Sequence, residues 1–201
     1  MKKLFFLLAL SLTTIPTFSQ DSTFQEMLDY SRPGKYHQLL ADLVGNWSFE
    51  GSRFDWVDSV TSKAGMKLAG SLVRKPFANG RFFIAELTTA AKIQLPIQDG
   101  KMTEDYAKGL QTEGYDNVKK KFQLSYINNH IGSDITFWEG LYNSTTKTIS
   151  FFSEMENVPG MKLKIRFDFV FIDKNHYQWN YFMEQNGKYI KDTEMNFIRI
   201  K

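Results

Sequence analysis

Apolar residues change their spacing once along this chain. Between Asp21 and Asp42 they recur at helical intervals. In KYHQLLADLV, Tyr36, Leu39, Leu40 and Leu43 fall on one face. Ser22 stands where a helix cap is wanted, ahead of TFQEMLDY. From Gly45 onward apolar and polar residues alternate at period two, as half-buried strands require. Ten strands are expected, over about 46–56, 64–74, 80–90, 108–116, 120–128, 134–142, 147–155, 161–172, 175–184 and 188–200. KPFANG, YDNVKK, YNSTTK, ENVPG, IDKN and EQNG separate them with turn-forming residues. No crossover helix intervenes, so the pattern predicts an all-β, antiparallel up-and-down meander. Such a meander loses its exposed edges by closing into a barrel. The expected organisation is a helical segment, 20–44, followed by a barrel domain, 45–201.

Loop lengths give the barrel two unlike ends. The connections after the second, fourth, sixth and eighth strands are tight. Those after the first and third are long, VDSVTSKA and AKIQLPIQDGKMTEDYA, and the fifth strand ends in NNHIGS. One end is therefore tied off and the other is open. The helical segment enters the first strand at the tied end and is expected to plug it, and a ligand would enter among the long loops.

The alternation also assigns faces. In LKIRFDFVF, Leu163, Ile165, Phe167, Phe169 and Phe171 share the inward face, with Lys164, Arg166 and Asp168 outward. Tyr177, Trp179, Tyr181 and Met183 line the inside of the ninth strand. Parity with Trp47 puts Phe49, Gly51 and Arg53 inside, and Tyr126 and Asn128 share a face with Phe122. The sixth strand is apolar on both faces. Ile135, Phe137, Glu139 and Leu141 are expected inward, against Thr136, Trp138 and Tyr142. The predicted interior is thus an aromatic wall with a few polar groups. Its candidate ligand-binding residues are Arg53, Tyr126, Asn128, Phe137, Glu139, Phe167 and Tyr181. Ten strands make a barrel wide for side chains alone to fill, which favours a cavity over a filled core in which Arg53 and Glu139 simply pair.

Composition narrows the classes. The chain has no cysteine, which excludes disulfides, thiolate metal sites and a cysteine nucleophile. Lys2 and Lys3, the apolar run Leu4–Leu12, and Thr17 and Ser19 form the pattern of a secretory signal peptide over 1–19, cut near Gln20. An exported, periplasmic or secreted protein is expected. Without Lys2 and Lys3 the formal charge of +3 falls to about +1, and no basic patch suits nucleic acid. No later apolar run is long enough for a membrane-spanning helix. The three histidines, His37, His130 and His176, lie on the plug, in a mouth loop and in a closed-end turn, so no metal site is expected. No nucleophile elbow, phosphate loop or nucleotide fingerprint is present.

Trp47 opens the first strand and Arg199 closes the tenth, in NFIRIK. If those strands pair, the guanidinium stacks on the indole, and Gly45 gives the chain room to turn out of the helix. Gly-x-Trp with a terminal Arg resembles the signature of the calycin superfamily, the lipocalin-like barrels. HQLLADLVGNW, GLQTEGYDNVKKKF and WEGLYNSTTKTI together resemble the bacterial domain-of-unknown-function family 1579 (DUF1579). His37, Leu40, Leu43, Gly45, Trp47, Gly114, Tyr115, Asp116 and Asn117 fall on the positions that carry that resemblance. It covers most of the chain after residue 19 and implies a lipocalin-like barrel, with no activity attached. The chain departs from the common pattern in the long charged loop between the third and fourth strands.

Three functions compete. The first is a non-enzymatic barrel that binds a small lipophilic or anionic amphipathic molecule, with Arg53 holding its head group. The second is an enzyme with Glu139 as a buried general acid or base. The third is an envelope scaffold with a filled barrel, docking a partner protein through an apolar loop patch such as IQLPI. The binding barrel is preferred, with Trp47, Arg199 and His37 as structural closure and no cofactor. Haem held by one histidine, as in the related nitrobindin-like barrels, would fall to His130, and a solvated loop histidine is the simpler reading. Oligomeric state is not legible.

Overall fold

The computed structural model describes residues 18–56, 62–96, 100–130, 132 and 134–201. It divides at Arg32 and Pro33 into two units. The first carries helix α1 (Phe18–Tyr30), whose residues from Ser22 onward are all exposed, Phe24 and Met27 among them. The second holds a short helix, α2 (Lys35–Ala41), and ten strands: β1 (Gly45–Trp56), β2 (Ser62–Phe77), β3 (Phe82–Pro96), β4 (Met102–Asp116), β5 (Lys121–Asn128), β6 (Thr136–Asn143), β7 (Thr148–Val158), β8 (Met161–Asp173), β9 (His176–Gln185) and β10 (Lys188–Arg199).

Each strand pairs antiparallel with its sequence neighbour, and β1 pairs with β10, with Trp47 opposite Arg199 and Phe49 opposite Phe197. The meander is therefore a closed barrel with no free edge. Along β8 the aromatic residues face in and Lys164, Arg166 and Asp168 face out. No described helix is long and apolar enough to cross a membrane.

Three of the four hairpins at the closed end use one device. Asp116 Oδ1 accepts from the Val118 and Lys119 amides, Asn143 Oδ1 from Thr145 and Thr146, and Asp173 Oδ1 from Asn175. These side chains satisfy turn amides that the ladder cannot reach. The β3–β4 connection differs from the expected 17-residue loop. Both strands run on past a bulge, where Thr88 pairs with Lys108 and the ladder resumes at Lys92 and Tyr106. Thr89 Oγ1 holds the bulge, accepting from the Ala107 amide and donating to the Ala91 carbonyl, each at 2.9 Å. Polar residues on both faces had disguised this hairpin as a loop. Residues 57–61 of the first long loop, 97–99 at the β3–β4 tip, and Ile131 and Ser133 of NNHIGS lie outside the described residues, as does the 1–17 portion of the expected signal peptide.

Helix α2 closes one end. Leu40 joins Leu43 and Trp47 in the core, and Tyr36 packs on Tyr115 and Phe122, with centroids 4.6 and 5.8 Å away. His37 is buried. Its Nδ1 accepts from the Gly34 amide at 3.1 Å, and the ring also bonds the backbone of Tyr115. Below the helix, Trp47, Leu72, Ile149, Phe151, Phe169, Tyr177 and Phe197 are sealed from water. Tyr177 stacks on Phe197 at 4.5 Å and meets Trp47 edge-on at 4.7 Å. The Arg199 guanidinium lies 4.1 Å from the Trp47 ring centre and donates to the carbonyls of Asp42, Val44 and Lys174. Gly45, at φ +134°, is needed here, because a Cβ would stand 2.7 Å from Arg199 Nη1.

Candidate ligand-binding site

The barrel interior is filled unevenly. At the closed end, inward side chains are shut away almost completely. Towards the other end, Tyr126, Met155, Leu163, Tyr181, Met183 and Met195 also face in but are only partly buried. Phe167 and Trp138 lie between these regions, 5.8 Å apart by ring centre and 6% and 5% exposed. This half therefore has a less tightly enclosed, aromatic and methionine-rich lining, the usual makeup of a small-molecule site.

Tyr126, Phe167 and Tyr181 are placed inside, as the alternation of their strands requires. Tyr126 lies over Gly109, where a Cβ would stand 2.3 Å from the phenol oxygen, so glycine clears the space for the ring. Burial pushes the Tyr126 phenol up to about 12, and it raises Tyr181 further, with help from Asp192 and Asp134. The Tyr181 hydroxyl approaches Met155 Sδ at 3.5 Å. Both phenols stay protonated at any physiological pH.

Arg53 sits at the rim with its side chain 57% exposed, and its partner is Asp192, at 3.8 Å. Asp192 is 7% exposed. It occupies the β10 bulge between Lys191 and Thr193, where the Thr193 hydroxyl donates to its carboxylate at 2.7 Å. The bulge turns a residue inward that strict alternation would send out. His130 is near enough to Arg53 to feel its charge, and burial first, then that cation, lower its pKa. Asn128 ends β5 exposed, and its Oδ1 accepts from the His130 amide at 2.8 Å.

The expected face of β6 is reversed. Thr136, Trp138 and Gly140 point inward, while Phe137 is 68% exposed and Leu141 and Ile135 are also outside. Glu139 lies on the outer surface, bonded to Lys121 at 2.7 Å and Gln123 at 3.3 Å, with Lys119 at 3.6 Å. The Lys121 hydrogen bond, then that of Gln123, hold its carboxyl below the usual range. Glu139 therefore neither pairs with Arg53 nor faces the interior as an acid or base, and Phe137 is no part of the inner wall. The physical reason is the register with β5. Leu124 pairs with Trp138 and Phe122 with Gly140, and a side chain at Gly140 would collide with Phe151. With Ile135, Phe137 and Leu141 balancing Trp138 and Tyr142, the hydrophobic pattern of β6 alone could not choose.

A buried ion pair was not anticipated. Arg74 and Glu113 are wholly enclosed and meet in two parallel hydrogen bonds of 2.9 and 2.8 Å, with Arg74 Nη1 reaching Tyr177 Oη at 3.5 Å and the Leu43 carbonyl at 3.4 Å. Burial is the largest single influence and opposes the guanidinium charge, but Glu113 and Tyr177 together outweigh it and raise the Arg74 pKa. The signal was available, since Arg74 shares parity with Leu72, and Glu113 with Gln111, Gly109 and Ala107.

Residues 32–199 match the family described as protein of unknown function, DUF1579. The chain belongs to that family. Among solved structures, Rv2717c from M. tuberculosis is 14% identical over 85% of this chain and 100% of that one, with a TM-score of 0.52. That likeness bears on fold alone. A redesigned β-barrel (10% identical, 80% of this chain and 94% of that one, TM-score 0.37) and a DUF3598 protein of unknown function from Nostoc punctiforme (8%, 84% and 100%, 0.24) are also similar. No curated protein matches the sequence. Among the described residues, no group of three or more metal-binding side chains comes together.

Proposed function

We propose that this DUF1579 barrel is an exported, non-enzymatic carrier or sensor of a small lipophilic or amphipathic molecule. The observation that supports this reading is the gradient of filling. One end is packed and capped by α2 and Arg199, while the inward faces of the other are apolar, aromatic and only partly buried. The ligand body would lie against Phe167, Tyr126 and Tyr181. A negatively charged head, where there is one, would stay at the rim beside Arg53. That arginine is more than half exposed and stands 3.8 Å from Asp192, a long ion pair, so its guanidinium can reach towards an anion at the rim. Export rests on the Lys2–Lys3, Leu4–Leu12 and Thr17–Ser19 pattern, and N-terminal sequencing of protein from the envelope should begin near Gln20.

The test is a melting series of wild type and Arg53→Met, with and without fatty acids. Arg53→Met should melt moderately below wild type when unliganded, because Arg53 is exposed but its partner Asp192 is buried and keeps only the Thr193 hydrogen bond. Fatty acid should raise the melting temperature of wild type by mass action and raise that of the variant much less. A mutant melting far below wild type, with no lipid shifting either protein, would leave a filled structural barrel.

A further inference from the structure

Strand β6 carries large apolar residues on both faces, and the barrel core uses only the face with Trp138. The other face turns Ile135, Phe137 and Leu141 to the outside, and Leu110 on β4, Ile127 on β5 and Phe152 on β7 extend it sideways. Register makes these six one surface. Leu110 pairs with Ile127. Phe137 pairs with Ser125, so Ile127 is its diagonal neighbour, and Phe152 pairs with Glu139, between Phe137 and Leu141. Diagonal neighbours on a sheet lie about 7–8 Å apart, within reach of aromatic side chains. Thr112 and Ser125, set among them, bond to each other at 2.7 Å, so that stretch can also be covered without stranding both hydroxyls. The outward side of β8 is the contrast, with Lys164, Arg166 and Asp168. Single exposed apolar residues are ordinary, but a contiguous group marks a contact, and a strand apolar on both faces is usually covered on both.

The charges around the patch indicate what covers it. At the closed end stand Lys119, Lys120 and Lys121 of the β4–β5 turn and Lys147 of the β6–β7 turn, against Asp116 and Glu139. At the open end Asp134, Glu154 and Glu156 outnumber Lys108 and Lys162. A face that is positive at one end and negative at the other matches itself when turned end for end. A two-fold axis lying in the plane of the face and across its strands does that, setting the lysine end of one copy against the carboxylate end of the other. Glu139, near such an axis, is already held by Lys119 and Lys121 of its own chain. The area is also of the right order. With exposures from 36% to 68%, the six side chains present on the order of 500 Å² of apolar surface. A standard interface takes about 800 Å² from each partner, an apolar centre with a polar rim.

We propose that the outer face of β4–β7 is the interface of a homodimer, in which two barrels pack side by side and end for end about Phe137. The contact lies on the barrel wall, so both mouths stay free and point in opposite directions. It does not depend on the small-molecule reading above.

The experiment is sedimentation velocity on the exported chain, from low micromolar to near-millimolar concentration. Wild type should shift from monomer to dimer across that range. Phe137→Glu should keep the wild-type circular dichroism, because the side chain is exposed, and should weaken the dimer by about thirtyfold or more, since symmetry places the charge at the contact twice. Leu141→Glu takes its place should that variant fail to fold. Lys147→Glu and Glu154→Lys should each weaken association by about three- to fivefold, and the two together should restore it. Arg53→Met, at the mouth, should dimerise as wild type does. A wild type that stays monomeric throughout would overturn the proposal, as would self-association untouched by Phe137→Glu. Failure of the double charge reversal to recover the dimer would overturn the end-for-end arrangement. A monomer that instead co-sediments with phosphatidylglycerol vesicles through Phe137 would make the face a lipid-docking surface and not a dimer contact.

Discussion

The Arg199 guanidinium does two jobs with one group. It covers the Trp47 ring and ties down three carbonyls from the chain entering β1 and from the β8–β9 turn. Trp47→Ala should cost about 3–5 kcal/mol as a core truncation, and Arg199→Ala less. A double-mutant cycle should return a coupling of about 0.5 kcal/mol or more; strict additivity would mean that the contact contributes nothing. This pair could be found from sequence because both members stand at strand ends that closure must bring together. Arg74 and Glu113 could not be found so directly. Parity places each inside, but nothing in one sequence says that β2 and β4, two strands apart, aim them at each other. The pair carries its own prediction. Glu113→Gln leaves a buried guanidinium without its counter-charge and should cost about 3–5 kcal/mol by chemical denaturation. Arg74→Met with Glu113→Leu should recover much of that loss.

Individual elements were legible where one face is clearly apolar and illegible where both are. Strand β8 sorts itself, with Phe167, Phe169 and Phe171 against Lys164, Arg166 and Asp168. Strand β6 does not, and its true face is set by pairing with β5 and by the close contact of Gly140 with Phe151. Asp192 was hidden for a related reason, since a bulge breaks the period on which parity depends. Helix α2 is too short to hold itself together, so its packing and His37 do that work. Burial lowers the His37 pKa below 6.5, opposed in part by the hydrogen bond to the Tyr115 backbone. With the folded value below the unfolded one, the unfolded chain binds the extra proton. Stability is then fully present above about pH 6.5 and is lost as pH falls below it. The stability difference between wild type and His37→Gln, followed by denaturant titration, should therefore narrow on acidification through that range. A difference that stays constant would mean that the imidazole does not titrate with folding. Lowering of His130 by burial and Arg53 adds a slope of the same sign, which both proteins share.

At the scale of the molecule, closure of β1 on β10 fixes ten strands around one interior, and barrels of that strand number tend to be too wide for side chains alone to fill. The helical plug concentrates the filling at one end. Loop lengths revealed this polarity in the sequence, even though the longest supposed loop proved to be a continuation of β3 and β4. The state of the open half was not legible, because alternation says which way a side chain points and not how much space lies beyond it. Adding volume tests that space. Ile149, at the sealed end, is fully buried, and Ile149→Phe should cost about 1–3 kcal/mol by overpacking. Leu163 is inward but only partly buried, opposite Met155 near the mouth. If the open half is hollow, Leu163→Trp should fold with nearly wild-type stability and occupy the space where the ligand body would lie. The same variant should then lose the thermal upshift given by fatty acids, with Arg53 untouched. A Leu163→Trp protein destabilised as severely as Ile149→Phe would show the open half to be packed, and would leave the barrel no room for a ligand.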